Sequence, residues 1–196
     1  MAEQQSTQEL GFDPDALRAK YREERDKRLR SDGNAQYFEV KGDFSRYVDD
    51  PYIDEVLERD PLTDDVDVIV VGGGFGGLLT GARLTEAGIG RIRLIEKGGD
   101  FGGTWYWNRY PGAACDVESY VYLPLCEELN FVPKEKYTHA PEILAHSRAI
   151  GEKFNLYEYA CFQTEVEGMH WNEEAQRWTV TTNRGDAMTA KYVCMA

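Results

Sequence analysis

The chain has 196 residues, 42% of them hydrophobic, enough to bury one sizeable core but a squeeze for two full domains. A formal net charge of -13 and a pI near 4.7 would repel nucleic acid and anionic membranes, so neither is an expected partner. Met1 to Ser6 lack the basic and apolar regions of a signal peptide, and no apolar run approaches the ~18 residues of a membrane span, so a cytoplasmic location is expected.

Residues 1 to about 12 carry no periodic pattern and read as disordered. Asp13-Pro14 then offers an N-cap followed by proline at the first helical position. A charged helix is predicted from there to about Arg30, with a thin apolar stripe of Leu17, Tyr21 and Leu29. It reads as a solvated arm, with docking against absent protein as the alternative. Phe38, Val40, Phe44, Tyr47 and Val48 are expected to anchor the segment after it, and a short helix is predicted from about Tyr52 to Arg59, before the Asp60-Pro61 turn.

Val66 to Val71 form an apolar run that leads straight into glycines at Gly72, Gly74 and Gly77. Such spacing suits a dinucleotide-binding turn. The first glycine permits the tight turn, the second lets the backbone approach a pyrophosphate, and the third lets the next helix lie close to the strand. Leu78, Leu79, Ala82 and Leu84 continue with a helical period, and Gly88 and Gly90 stop it. A second strand, Arg91 to Ile95, ends at Glu96, at the distance where a carboxylate accepts hydrogen bonds from ribose hydroxyls. That carboxylate would repel a 2'-phosphate, which favours FAD or NAD over NADP.

Gly98 to Gly103 can only form an irregular, closely packed loop. From Gly102 to Gly112 four aromatics stand among glycines and a proline, outside any strand or helical period, and their faces could wall a flat ring. A helix is predicted from about Pro141 to Phe154, then a hairpin of Phe162 to Trp171 and Trp178 to Thr182, then a last strand from Met188 to Met195. That strand stops while still apolar, so the chain is expected to be a truncated piece. Cys115, Cys126, Cys161 and Cys194 form no C-x-x-C pair, and His139, His146 and His170 form no ligand cluster, so reduced thiols and no metal are expected.

From Val66 to Ala196 the chain resembles the FAD-binding region of Baeyer-Villiger monooxygenases, the flavoproteins that insert oxygen next to a ketone carbonyl. The likeness rests on Gly72 to Gly77, on Glu96, and above all on Gly102 to Gly112 followed by Cys115-Asp116-Val117-Glu118-Ser119. It implies an α/β fold: a Rossmann-type FAD-binding domain, residues 66–196, with a parallel sheet and an antiparallel hairpin insertion. A charged, partly helical extension, residues 1–65, precedes it.

By that resemblance Gly72, Gly74, Phe75, Gly76 and Gly77 would hold the FAD pyrophosphate and Glu96 the adenosine ribose. Gly103, Thr104, Trp105 and Tyr122 would lie along the flavin. Asp116 is the expected catalytic residue, since the matching aspartate in the family lies near the flavin and orients an arginine that stabilises negative charge there. Cys115 is not read as a nucleophile.

The implied reaction converts a ketone to an ester or lactone with O2, using FAD and NADPH. The second glycine-rich motif for NADPH and the fingerprint F-x-G-x-x-x-H-x-x-x-W do not occur in these residues. The NADPH site is therefore expected in a missing C-terminal half, and the chain alone is expected to be inactive. The competing readings are the FAD-binding portion of a nitrogen- or sulfur-oxidising flavin monooxygenase and a non-catalytic flavin-binding module.

Overall fold

The protein is described by a computed structural model covering residues 11–38 and 40–196. The disordered start expected for residues 1 to 12 falls, except for its last two residues, outside that range. The chain divides into two compact units, one ending at Asp49 and the other running from Asp50 to Ala196.

In the first unit, helix α1 spans Pro14–Asp26. The Asp13 carboxylate caps it by accepting the Asp15 and Ala16 N–H groups at 2.9 and 3.3 Å. None of its residues is buried, and Leu17, Tyr21 and Leu29 are all exposed. Short 3-10 turns follow at Gly33–Gln36 and Gly42–Tyr47. Phe38, Val40, Phe44 and Val48 are exposed, so they do not anchor this segment as expected. Among the described residues of this unit none is buried, so there is no core for them to enter. The Phe38 and Phe44 rings face each other with centroids 6.3 Å apart, and the Tyr47 side chain lies outside the described set.

The second unit is a six-stranded sheet flanked by helices. Its strands are β1 Asp65–Val71, β2 Ile92–Ile95, β3 Ala160–Cys161, β4 Val166–Asn172, β5 Arg177–Thr182 and β6 Ala187–Met195, in the spatial order β3-β2-β1-β6-β5-β4. β1 pairs in parallel with β2 and β6, and β2 in parallel with β3. β5 pairs antiparallel with β4 and β6. This is a Rossmann-type sheet with an antiparallel hairpin inserted before its last strand.

Two long helices, α2 Phe75–Glu86 and α6 Ala140–Lys153, accompany three single turns: α3 Thr104–Trp107, α4 Ser119–Tyr122 and α5 Cys126–Leu129. The expected helix from Pro141 to Phe154 is α6, shifted by one residue. Just after the irregular loop expected for Gly98 to Gly103, in the stretch read as outside any helical period, Thr104–Trp107 closes one helical turn. The helix expected from Tyr52 to Arg59 does not form: that segment is irregular. Side chains from far along the chain hold it instead. The Gln163 amide oxygen accepts the Leu57 N–H at 2.8 Å, and Arg59 pairs with Asp186 at 2.6 Å.

β1 is buried on both faces, which is why its sequence is a near-continuous apolar run rather than an alternating one. One face packs Val68, Val70, Ile92 and Leu94 against Leu78, Ala82, Ile150 and Leu156 of the helical layer. Ile69, Ile95, Cys161, Val180 and Met188 fill a second cluster. Each fully buried aliphatic side chain contributes about 1.5 to 3 kcal/mol. No helix among the described residues is long and apolar enough to cross a membrane.

Candidate functional site

The chain leaves β1 at Val71 and turns at Gly72, whose φ of +111° no L side chain adopts readily. Gly77 has a different reason to lack a side chain. A Cβ there would lie 1.9 Å from the Gly72 carbonyl oxygen, so any larger residue would push α2 off the turn. Gly74 is the N-cap of α2 and supplies no side-chain cap. The first N–H groups of a helix have no intrahelical partner, and the helix dipole there favours a neighbouring anion.

Glu96 follows β2 directly and is 6% exposed. Its carboxylate accepts the Gly73 N–H at 2.5 Å and the Gly98 N–H at 2.6 Å. Burial pushes this carboxyl above its usual range, the two backbone donors pull it part of the way back, and Asp50 adds repulsion. Sequence reasoning assigned Glu96 a ligand and missed its second task, tying the glycine turn to the end of β2. Glu96 also lines a cavity of about 430 Å³ at the C-terminal ends of β1, β2 and β6, walled on its far side by Thr164 to Met169. Open α/β sheets take ligands at this end.

The second glycine pair closes over the first. Gly102 donates its N–H to the Gly73 carbonyl at 2.9 Å, and Gly103 has φ +52°. A Cβ on Gly103 would lie 2.7 Å from the Gly74 Cα. Two backbones thus meet at van der Waals contact beside the N-terminus of α2.

α3 carries the expected flavin-facing residues. Thr104 is exposed, whereas Trp105 is buried and donates its indole N–H to the Tyr122 hydroxyl at 3.0 Å. The Tyr122 ring lies 6.0 Å from Trp105 and 5.5 Å from Phe75, and it remains 36% exposed. Phe75, Trp105 and Tyr122 therefore form one aromatic cluster next to the glycine contact, with Gly76 exposed on the first turn of α2.

Asp116 stands exposed beyond buried Cys115, whose N–H is held by the Thr138 carbonyl at 2.9 Å. Arg109 is engaged elsewhere: its Nε donates to the Tyr106 carbonyl at 2.9 Å, and its guanidinium stacks 3.8 Å from the centre of the Tyr52 ring. The structure thus brings together Gly72, Gly74, Gly77, Glu96 and Gly103. Asp116 has no side-chain partner among the described residues.

The donor set fits a nucleotide diphosphate. Backbone N–H groups and a helix N-terminus suit two phosphates, a Cβ on Gly103 would crowd the Gly74 backbone beside them, and the cavity beside Glu96 suits an adenosine. No group of three or more metal-ligating side chains occurs among the described residues.

Residues 70–130 match a family described as an NAD(P)-binding Rossmann-like domain. The chain is 58% identical to pentalenolactone D synthase of Streptomyces arenae over 186 residues, covering 94% of this chain and 31% of that protein. It is 49% identical to a Baeyer-Villiger monooxygenase of Stachybotrys chlorohalonatus, covering 98% of this chain and 31% of that protein. Among solved structures it superposes on the polycyclic ketone monooxygenase of Thermothelomyces thermophila with a TM-score of 0.81 at 35% identity, covering 92% of this chain and 32% of that one. The chain spans about 31% of the length of the curated relatives it matches. On its sequence and its fold, it belongs to the Baeyer-Villiger monooxygenase family, matching that portion of its members.

Proposed function

We propose that this chain is the FAD-binding portion of an NADPH-dependent Baeyer-Villiger monooxygenase that converts a ketone to an ester or lactone with O2. The observation that carries the reading is the backbone contact of Gly74 with Gly103, at the N-terminus of α2 and next to the cavity that Glu96 lines. The relatives named above favour it over nitrogen or sulfur oxidation.

With the Gly72 N–H on Ile95 and the Gly73 N–H on Glu96, the N–H groups from Gly74 to Gly77 and that of Gly103 would take the pyrophosphate, with Phe75 and Gly76 on the first turn of the helix beneath it. Glu96, with one oxygen on each of two backbone donors, retains lone pairs for the ribose hydroxyls. Thr104, Trp105 and Tyr122 would border the isoalloxazine. When bound, FAD supplies the redox and oxygen chemistry, and the protein positions and shields it. Asp116 would orient a cation near the flavin; the guanidinium of Arg109 is already committed to Tyr52 and Tyr106.

That cation, the NADPH site and most of the ketone site are assigned to the portion of such proteins outside these residues. Turnover of ketone by the chain alone is accordingly expected to be negligible. Residues 66–196 are assigned as the FAD domain and residues 1–65 as an extension. The four free thiols suit a reducing cytoplasm.

The test is to purify the chain with FAD and record its visible flavin spectrum, alongside Gly74→Leu. The parent retains flavin and the variant loses it. Equal retention by both would contradict the assigned pocket.

A further inference from the structure

Ahead of β1, residues 50–53 lie against the aromatic turn rather than in a helix of their own. Asp50 Oδ2 accepts the Tyr106 hydroxyl at 2.5 Å and the Gly99 N–H at 2.9 Å. The Gly99 N–H also lies 3.0 Å from the Tyr106 hydroxyl oxygen, which closes a triangle of three groups from three places in the sequence. Ile53 fills the space a Gly99 side chain would need, since a Cβ there would meet Ile53 Cγ2 at 2.3 Å.

Tyr52 holds the other end of the turn. Its hydroxyl donates to the Trp107 carbonyl at 3.3 Å, its ring meets Tyr106 edge-on at 5.7 Å, and the Arg109 guanidinium lies over it. A guanidinium over an aromatic face is attracted by the ring quadrupole, which ties Arg109 to Tyr52. Gly98, next to Gly99, donates to Glu96, and Glu96 accepts from Gly73. Hydrogen bonds therefore run unbroken from Asp50 through the Gly98-Gly99 backbone and Glu96 to the glycine turn.

We propose that Asp50 is a positioning residue for the cofactor-facing turn: its carboxylate, with the Tyr52 ring, fixes residues 98–109 in the conformation that presents Thr104 and Trp105 to the isoalloxazine end of FAD. This deepens the FAD assignment and rests on it. The adenosine end depends on Gly73, Glu96 and the N-terminus of α2, which Asp50 reaches by no direct hydrogen bond, only through the Gly98-Gly99 backbone and by charge repulsion at Glu96. Losing Asp50 therefore disturbs the isoalloxazine end more than the adenosine end.

The experiment measures FAD affinity by flavin fluorescence and ADP affinity by calorimetry, on the full chain and on Asp50→Ala, Asp50→Asn and Tyr106→Phe. Asp50→Ala weakens FAD about tenfold or more and ADP by less than about threefold. Asp50→Asn, whose amide oxygen can accept both hydrogen bonds, recovers most of the FAD affinity. Should Asp50→Ala fail to fold, Tyr106→Phe removes one hydroxyl only and gives a smaller split of the same sign, with an altered shape of the bound flavin's visible band. Equal losses for FAD and ADP, or FAD affinity and spectrum unchanged in every folded variant, overturn the proposal. A parent chain that does not bind FAD refutes the FAD assignment itself, and the proposal with it.

Discussion

Gly103 and Gly74 touch through their backbones: a Cβ on the first would stand 2.7 Å from the Cα of the second. Gly103→Ala therefore meets two penalties, a φ of +52° and a backbone neighbour that cannot rotate away. It is expected to cost about 1 to 3 kcal/mol of stability and to weaken FAD binding. Gly112→Ala is the control, since its φ is +83° but no atom lies within 4 Å of the added Cβ. Thermal unfolding with and without FAD distinguishes strain alone, shared by both variants, from loss of the ligand approach, confined to Gly103→Ala.

Glu96→Gln turns one carboxylate oxygen into an NH2 that must face either the Gly73 or the Gly98 N–H, donor against donor. A buried donor left unsatisfied costs about 1 to 3 kcal/mol. Both urea stability and ADP affinity are expected to fall. Stability unchanged in the variant would show that Glu96 does not tie the turn to β2.

The pair Arg59 and Asp186 joins the irregular segment before β1 to the turn before β6. Asp186 accepts from Arg59 at 2.6 and 2.7 Å, from the Leu62 N–H at 2.7 Å and from the Thr182 hydroxyl at 2.6 Å. Burial alone would raise this carboxyl, but those donors win and hold it at about 2, below the ordinary 3.8 of an aspartate. A lowered carboxyl contributes stability that is whole above pH 3.8 and is lost as the pH falls towards 2. Asp186→Ala should remove that acid slope in urea melts and cost about 1 to 3 kcal/mol at neutral pH, because the half-buried Arg59 loses its carboxylate and keeps the Asp60 carbonyl and the Thr164 hydroxyl. A slope that persists in the variant would assign it to other groups.

His146 gives a slope of the same sign in a milder range. Its Nε2 lies 2.7 Å from the Pro124 carbonyl oxygen and so carries the proton, its Nδ1 is buried without a partner among the described residues, and its ring lies 4.6 Å from Phe131. Burial lowers its pKa from 6.5, against the pull of that carbonyl. The folded chain binds the second proton less readily than the unfolded chain, so stability falls as the pH drops below 6.5. His146→Gln should flatten urea stability across that range. An unchanged slope would show that the imidazole is protonated as easily in the fold as outside it.

How much of this was legible in the sequence depended on the distance over which each element is specified. β1, the glycine turn, α2 and Glu96 were readable because the apolar run, the glycine spacing and the helical period lie within about thirty residues. α6 and the β4–β5 hairpin were readable for the same reason. The segment from Tyr52 to Arg59 was misread because its local pattern suits a helix, while its conformation is imposed by Gln163 and Asp186, more than a hundred residues away. β3 has two residues and α3 has four, too few to show a period. The aromatic turn was recognised by composition, but that Trp105 is buried against Tyr122 while Tyr106 answers to Asp50 is set by packing alone.

The most direct measurement is a crystal structure of the chain grown with FAD. Density for the pyrophosphate should lie at the N-terminus of α2 across the Gly74 and Gly103 backbones, with the ribose on Glu96 and the isoalloxazine beside Thr104 and Tyr122. Density for FAD elsewhere, or that crevice filled by side chains in the FAD-grown crystal, would contradict the account.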